Sequence, residues 1–383
     1  MIKIELKTLF SPGKIGNIEI KNRIVRSATY TRSATDDGYV TDAMIKYYTD
    51  LAKGGTGLII TGIISIDLPG KAGRGQACMF DDSFISGQKN LVGAIHDYSD
   101  VKIAAQLSHA GRQTGNPVGP SAIMYKVSKK IPRELSNEEV KEVIKNFVNA
   151  ARRAYESGYD MVQLNAGHGW LLTNFLSPYT NNRTDEYGGD TKNRCRILVD
   201  IYNQFRDELG KDFPIFLKLQ TNDFVEGGIT IEEGIEITKI MIDTGYDAIE
   251  PSGGSGDTLL TPGKNYPSII IKEPDDENYF LPNVKAIKPV MKDRPIILMG
   301  GVRNPLKAEK LLQEKTIDFI AMSRPLIYEP DLPNRWKSGD LSPPFCTSCN
   351  QCYMSVLSGP VQCPIKKKAE RKKKKEDRRQ NNK

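Results

Sequence analysis

Long hydrophobic runs are missing from this sequence: no stretch approaches the roughly 20 apolar residues that a membrane-spanning helix needs. The amino terminus, MIKIELKTLFSPGKIG, also lacks an apolar core followed by a cleavage site, so it does not read as a secretory signal. Both absences predict a soluble protein of the cytoplasm. Cysteine is sparse, six in 383 residues, and four of the six crowd between Cys346 and Cys363. That distribution argues against a disulfide framework and for one local metal or cluster site. Histidine is scarcer still, with three residues in all. No Gly-x-Gly-x-x-Gly follows the first candidate strand, which weighs against a doubly wound dinucleotide fold.

An excess of one charge is missing from most of the chain as well. The formal charge is +7, yet the last eighteen residues, KKKAERKKKKEDRRQNNK, hold 11 basic and 3 acidic side chains. The remainder is nearly neutral, so nucleic acid is not an expected partner of the folded body. The tail has no apolar periodicity. Residues 366–383 are expected to form a solvated, disordered end, with contact to an anionic surface as the alternative.

What is present is a repeat: short apolar runs alternate with amphipathic helical patterns, the mark of βα units around a parallel sheet. Eight candidate strands read as RIVRSAT (23–29), GLIITG (57–62), KIAAQL (102–107), YDMVQLN (159–165), PIFLKL (214–219), DAIEPS (247–252), PIILMG (295–300) and DFIAMS (318–323). Helix starts punctuate them. Ser136 with Glu139 and Thr230 with Glu233 have capping-box spacing, and Asn304-Pro305 offers an N-cap followed by proline. Eight such units predict an α/β fold, a (β/α)8 TIM barrel with lid insertions, since these barrels run from about 200 to over 400 residues. The long irregular connections 177–190 and 253–280 follow strands and are the expected lids. The expected organisation is a barrel over 1–345, a Cys-rich extension over 346–365 and the basic tail. A small-molecule substrate and a homo-oligomeric assembly fit this architecture.

In a parallel barrel, alternate side chains point inward and those near the C-terminal strand ends reach the mouth. By that rule the third strand turns Ala104 and Gln106 inward, the fourth Gln163 and Asn165, the fifth Phe216 and Lys218. Three adjacent strands thus aim amides or an amine at one spot. A buried lysine is costly without an anionic partner, and none is evident from pattern alone, so a ligand site is favoured over a purely structural cluster. A planar, electron-accepting ring that becomes anionic on reduction suits a lysine at one edge and amides at another. After the seventh and eighth strands, Met299-Gly300-Gly301 and Ser323-Arg324 supply backbone N–H groups, a helix start and a guanidinium where barrels commonly hold phosphate. The stretch QLNAGHGW, 163–170, sets His168 between glycines just past a strand ending in Asn165. His109 and His96 read as structural.

These motifs together resemble the old yellow enzyme family of FMN-dependent NAD(P)H:flavin oxidoreductases, over roughly residues 8–345. The resemblance is carried by FSPGKIGNIEIKNRIVRSAT (10–29), AQLSHAGRQ (105–113), GHGWLLTNFLSPYTNNRTDEYGG (167–189), DAIEPSGG (247–254), MGGVRNP (299–305) and AMSRPLIYEPDLP (321–333). It implies that Ala28 and Thr29 lie under FMN, that Gly62 contacts it, and that Gln106 bonds its pyrimidine edge. Lys218 matches the family's basic residue beside the ring, in place of the commoner arginine. Gly300, Gly301, Ser323 and Arg324 match the phosphate site. Asn165 and His168 match the pair that polarises an acceptor's oxygen, so that hydride adds at the β-carbon of an electron-poor alkene. Trp170 stands where most members have the proton-donating tyrosine, and an indole N–H is no practical acid. Tyr30 or water is left for that role.

The segment FCTSCNQCYMSVLSGPVQCP spaces Cys346, Cys349, Cys352 and Cys363 as C-x2-C-x2-C-x10-C-P, which resembles the linker of longer family members that carry a [4Fe–4S] cluster, 2,4-dienoyl-CoA reductase and trimethylamine dehydrogenase. In those the third interval is one residue longer. Zinc or reduced thiols suit the same spacing, which does not choose the metal. Two other functional classes remain at this stage: an electron-transfer flavoprotein with little alkene reductase activity, and a phosphate-binding barrel lyase or isomerase.

Overall fold

The computed structural model describes residues 5–98, 100–260 and 268–381. All eight anticipated strands form: β1 (Ile24–Arg26), β2 (Leu58–Ser65), β3 (Lys102–Ser108), β4 (Met161–Ala166), β5 (Ile215–Asn222), β6 (Ile249–Gly253), β7 (Ile297–Leu298) and β8 (Phe319–Met322). Each pairs in parallel with its neighbours, as Val25 with Leu58, Ala104 with Met161, and Ile249 with Leu217. A bridge between Ile249 and Ile296 joins the two ends, so the sheet closes into a barrel.

The alternation read from sequence is the alternation found. Val25, Leu58, Ile60, Ala104, Met161, Phe216, Ile297 and Phe319 form one buried cluster inside the barrel. Ile15 and Ile20, from the hairpin Gly13–Ile15/Ile18–Ile20, complete it. The alternate residues Ile59, Ile103, Val162, Leu164, Leu217 and Leu219 face outward into a larger core with Val140, Ile144, Phe147 and Ala151. Burial of each such Leu or Ile contributes about 1.5–3 kcal/mol relative to exposure.

Helices α1 (Asp42–Lys53), α2 (Ile85–His96), α3 (Asn137–Glu156), α4 (Thr191–Leu209), α5 (Ile231–Thr244), α6 (Leu281–Ile287), α7 (Pro305–Gln313) and α8 (Leu332–Lys337) follow the strands in order. The Ser136 capping box forms in full: Ser136 Oγ accepts from Glu139 N at 3.2 Å, and Glu139 Oε2 accepts from Ser136 N at 2.9 Å. At α5 only half of the expected box forms. Thr230 Oγ1 accepts from Glu233 N at 3.3 Å, but the Glu233 carboxylate pairs instead with Arg194 on α4, a stronger charged partner than a backbone N–H. Asn304 caps α7 through Leu306 N and Lys307 N.

Residues 177–190 are a packed buttress, not a free lid. Buried Asn181 donates to the carbonyls of Phe175 and Tyr187, and buried Arg183 to that of Leu135, which ties the loop down. Part of the other expected lid, 261–267, lies outside the described residues. A third long connection, after β3, joins it through the buried pair Arg112–Asp257 at 2.8 Å. The tail differs from the expectation of disorder: Pro364–Asn381 forms a helix. Its Lys, Arg, Glu and Ala residues are strong helix formers, and Lys372 and Glu376 lie one turn apart at 3.8 Å. Among the described residues no helix is long and apolar enough to cross a membrane.

Candidate active site

Moving toward the mouth, β1 and β3 to β6 change from apolar to polar on their inward faces. Val25 gives way to Ser27, Ala104 to Gln106, Met161 to Gln163 and Asn165, Phe216 to Lys218, and Ala248 to Glu250 and Ser252. Above this layer opens a cavity of about 390 Å3, within the range of small-molecule and cofactor sites. Its wall includes Ala28, Thr29, Tyr30, Gln106, Asn165, His168, Lys218, Gly300, Gly301, Ser323 and Arg324.

The floor corrects the sequence argument for Lys218. The lysine has an internal anionic partner: Nζ lies 3.2 Å from Glu250 Oε1, with both residues buried. Ser27 Oγ accepts from Lys218 Nζ at 2.9 Å and donates to Glu250 Oε1 at 2.6 Å. Gln163 Nε2 donates to Glu250 Oε2 at 2.7 Å, and Gln106 Nε2 to Gln163 Oε1 at 2.6 Å. Buried charge and amides are thereby satisfied without a ligand. The inward rule applied to the sixth strand points to Glu250, and that was the available signal.

Past β4 the chain turns through two left-handed residues, His168 at φ 60° and Gly169 at φ 73°. A Cβ on Gly169 would meet Ser255 Cβ at 2.8 Å, so the turn requires glycine there. The turn is pinned by Gln220 Oε1 accepting from His168 N at 2.6 Å and by Gln113 Nε2 donating to His168 O at 2.9 Å. The ring Nε2 lies 2.6 Å from Ser252 Oγ. Burial, then the Lys218 charge, hold its pKa down to about 3, so the imidazole is neutral near pH 7. Asn165 Nδ2 donates to Ser108 Oγ at 3.4 Å, and its buried Oδ1 has no partner among the described residues. Trp170 shares the wall with both. Tyr30 donates its hydroxyl proton to the Arg74 carbonyl, and burial raises its pKa.

At the other end Gly300 and Gly301 take φ of 96° and 79° after β7, and both line the cavity. Thr29 Oγ1 and Ser323 Oγ lie 2.7 Å apart beside them. Arg324 donates through Nη1 to Ile269 O, Ser348 O and Asn350 Oδ1, while its Nε and Nη2 bond to no described residue. A glycine backbone at the cavity wall, two hydroxyls and a guanidinium fit a phosphate monoester; the amide floor fits a polar ring edge. These residues therefore fit FMN. Gly62 stands apart from the wall. Its N–H donates to Tyr48 Oη at 2.9 Å and the Thr29 backbone leaves no room for a Cβ, while the adjacent Ile63 reaches the cavity.

The Cys-rich extension crosses the mouth. Arg303 donates to Cys346 O and to Ser348 Oγ, and Val361 N donates to Thr31 O at 2.8 Å. Ser348, Asn350, Cys352 and Tyr353 line the cavity. Sequence reasoning missed this, because the contacts join positions some 20 to 330 residues apart. The four thiols are unpaired, and no three His, Cys, Asp or Glu side chains among the described residues are gathered to hold a metal. Burial pushes the Cys346 and Cys352 thiols up, which favours the protonated form. Cys352 turns to the cavity wall on the short helix Gln351–Ser355. Cys346, Cys352 and Cys363 nonetheless lie close enough to act on one another's thiols electrostatically. His109 and His96 are structural, as expected: His109 Nδ1 accepts from Gly111 N at 3.0 Å, and His96 Nε2 lies 2.9 Å from Asp160.

Comparison with known proteins identifies the family of this barrel. An NADH oxidase of Thermoanaerobacter brockii is 37% identical over 356 residues, 89% of this chain and 52% of its own length. A cinnamate reductase of Clostridium sporogenes is 33% identical over 398 residues, 95% of this chain and 58% of its own. A solved 2-naphthoyl-CoA reductase complex superposes with a TM-score of 0.86 at 30% identity, covering 94% of this chain and 56% of that one. The chain thus spans little more than half the length of these three. The family model of NADH:flavin oxidoreductases and NADH oxidases matches residues 8–341, nearly the whole barrel, and the chain belongs to that family.

Proposed function

We propose that this protein is an FMN-dependent oxidoreductase of the cytoplasm that takes hydride from NAD(P)H and delivers it to an electron-poor alkene of the enone or enoate type. The observation that carries the reading is the meeting of Asn165 and His168 at a cavity whose opposite end bears Gly300, Gly301, Ser323 and Arg324. The cinnamate reductase relative supports this acceptor class.

Bound FMN supplies the hydride transfer that no side chain can perform. Arg324, Ser323 and the Gly300-Gly301 backbone would hold its phosphate, Gln106 and Lys218 would meet its polar ring edge, and Ala28 and Thr29 would contact the ring. Asn165 and His168 each offer an N–H to the acceptor's carbonyl oxygen, which draws charge from the conjugated bond. Tyr30, protonated at neutral pH, releases the Arg74 carbonyl and gives its hydroxyl proton to the acceptor's α-carbon, and water then returns a proton to the phenolate. The barrel acts as one catalytic unit in a homo-oligomer, and the basic helix contacts anionic surfaces.

Anaerobic single-turnover experiments test this. The protein is loaded with FMN, reduced with one equivalent of NADPH, then mixed with 2-cyclohexenone or cinnamaldehyde. Return of the oxidised flavin spectrum with one equivalent of saturated product supports the reading. A reduced spectrum that persists with every enone offered refutes the alkene acceptor and leaves an electron-transfer role.

A further inference from the structure

Glu250 has no part in the chemistry proposed above, yet it sits at the centre of the floor and is fully buried. Its Oε1 accepts from Ser27 Oγ and faces Lys218 Nζ, and its Oε2 accepts from Gln163 Nε2. An ionised carboxylate only accepts hydrogen bonds. Gln163 must therefore turn its NH2 toward Glu250, which leaves its oxygen facing Gln106. Gln106 in turn must present its own NH2 to that oxygen, at 2.6 Å. The amide that lines the cavity is thus oriented by a carboxylate two side chains away. Reversing either glutamine would set like ends against each other in a buried site, which is why the order is fixed.

The same carboxylate offsets the Lys218 cation on the floor. Lys218 projects into the cavity wall with Glu250 as its ion-pair partner. A negative charge developing above the floor meets a lysine already half cancelled.

We infer that Glu250 is a positioning residue for the cofactor: through Gln163 it fixes which end of the Gln106 amide meets the flavin, and through Lys218 it sets how strongly the reduced ring is stabilised. This rests on the proposal that FMN occupies the cavity. Glu250→Gln keeps the shape, removes the charge and gives position 250 a donor that permits the amide order to reverse.

The test measures FMN content, FMN dissociation and the two-electron potential of the bound flavin, none of which requires turnover. In Glu250→Gln the uncompensated Lys218 favours the reduced state. The reduced-to-oxidised ratio at fixed poise rises about tenfold or more, equivalent to about 30 mV. Gln163→Met, which severs the relay but spares the ion pair, serves as the second variant should Glu250→Gln not fold. It weakens FMN binding about tenfold, with the ratio within about twofold of the parent. Parental affinity in Gln163→Met together with a parental potential in Glu250→Gln overturns the role given to Glu250 while FMN binding stands. A parent protein that takes up no FMN overturns the cofactor reading itself.

Discussion

His168 Nε2 and Ser252 Oγ lie 2.6 Å apart, joining the turn after β4 to the end of β6. This contact holds the one cavity-lining histidine in a fixed orientation, and its depressed pKa keeps the ring neutral. A neutral imidazole bonded at one nitrogen has its other nitrogen left for the acceptor. The folded protein resists protonating His168 down to about pH 3, whereas the unfolded chain takes up that proton near the ordinary 6.5. The stability tied to this group is therefore complete above about pH 6.5 and is lost progressively as pH falls toward 3. Urea unfolding of the parent should weaken more between about pH 7 and 4.5 than that of His168→Gln. Equal losses in the two proteins would contradict the assigned environment.

Removing the polarising pair should separate the two half-reactions. Asn165→Ala, His168→Ala and the double variant should lower the rate of flavin reoxidation by an enone about 100-fold or more, the scale of a lost oxyanion donor. Reduction by NADPH should stay within about threefold in the Asn165 variant, since among the described residues its side chain bonds only Ser108. Rapid-mixing absorbance traces of each half-reaction read this directly.

Tyr30→Phe tests the proton donor. Loss of a general acid costs about 100-fold or more, so reoxidation by enone should slow on that scale while FMN content is unchanged. A variant as fast as the parent would transfer the role to water.

The same residues show what the sequence could and could not convey. Eight strands and the inward set Gln106, Gln163, Asn165 and Lys218 were legible because side-chain alternation is a local property of a strand. Glu250 obeys the same rule, but its meaning as the partner of Lys218 depends on β5 and β6 lying side by side. The crossing of the mouth by residues 344–361 had no local signature at all. It depends on Arg32, Arg303 and Arg324 reaching carbonyl oxygens and an amide far along the chain. Disorder was expected of the tail from its charge and its lack of apolar periodicity, whereas the helix-forming tendency of Lys, Arg and Glu gives a helix over Pro364–Asn381.

Arg324, the residue proposed to hold the FMN phosphate, donates to Asn350 Oδ1 of the extension at 2.6 Å. Arg324→Met should weaken FMN binding about 10- to 100-fold, the worth of a charge-assisted bond of roughly 1.5–3 kcal/mol. It should also expose residues 344–361 to protease. Fluorescence titration with FMN and limited proteolysis report the two effects separately. Unchanged FMN affinity would remove Arg324 from the phosphate site.

The central claim is that this barrel holds FMN and reduces it with a nicotinamide nucleotide. Protein purified without oxygen should show flavin absorbance in the visible that bleaches on adding NADH or NADPH and returns with an enone. A colourless protein that also fails to take up added FMN would contradict the account.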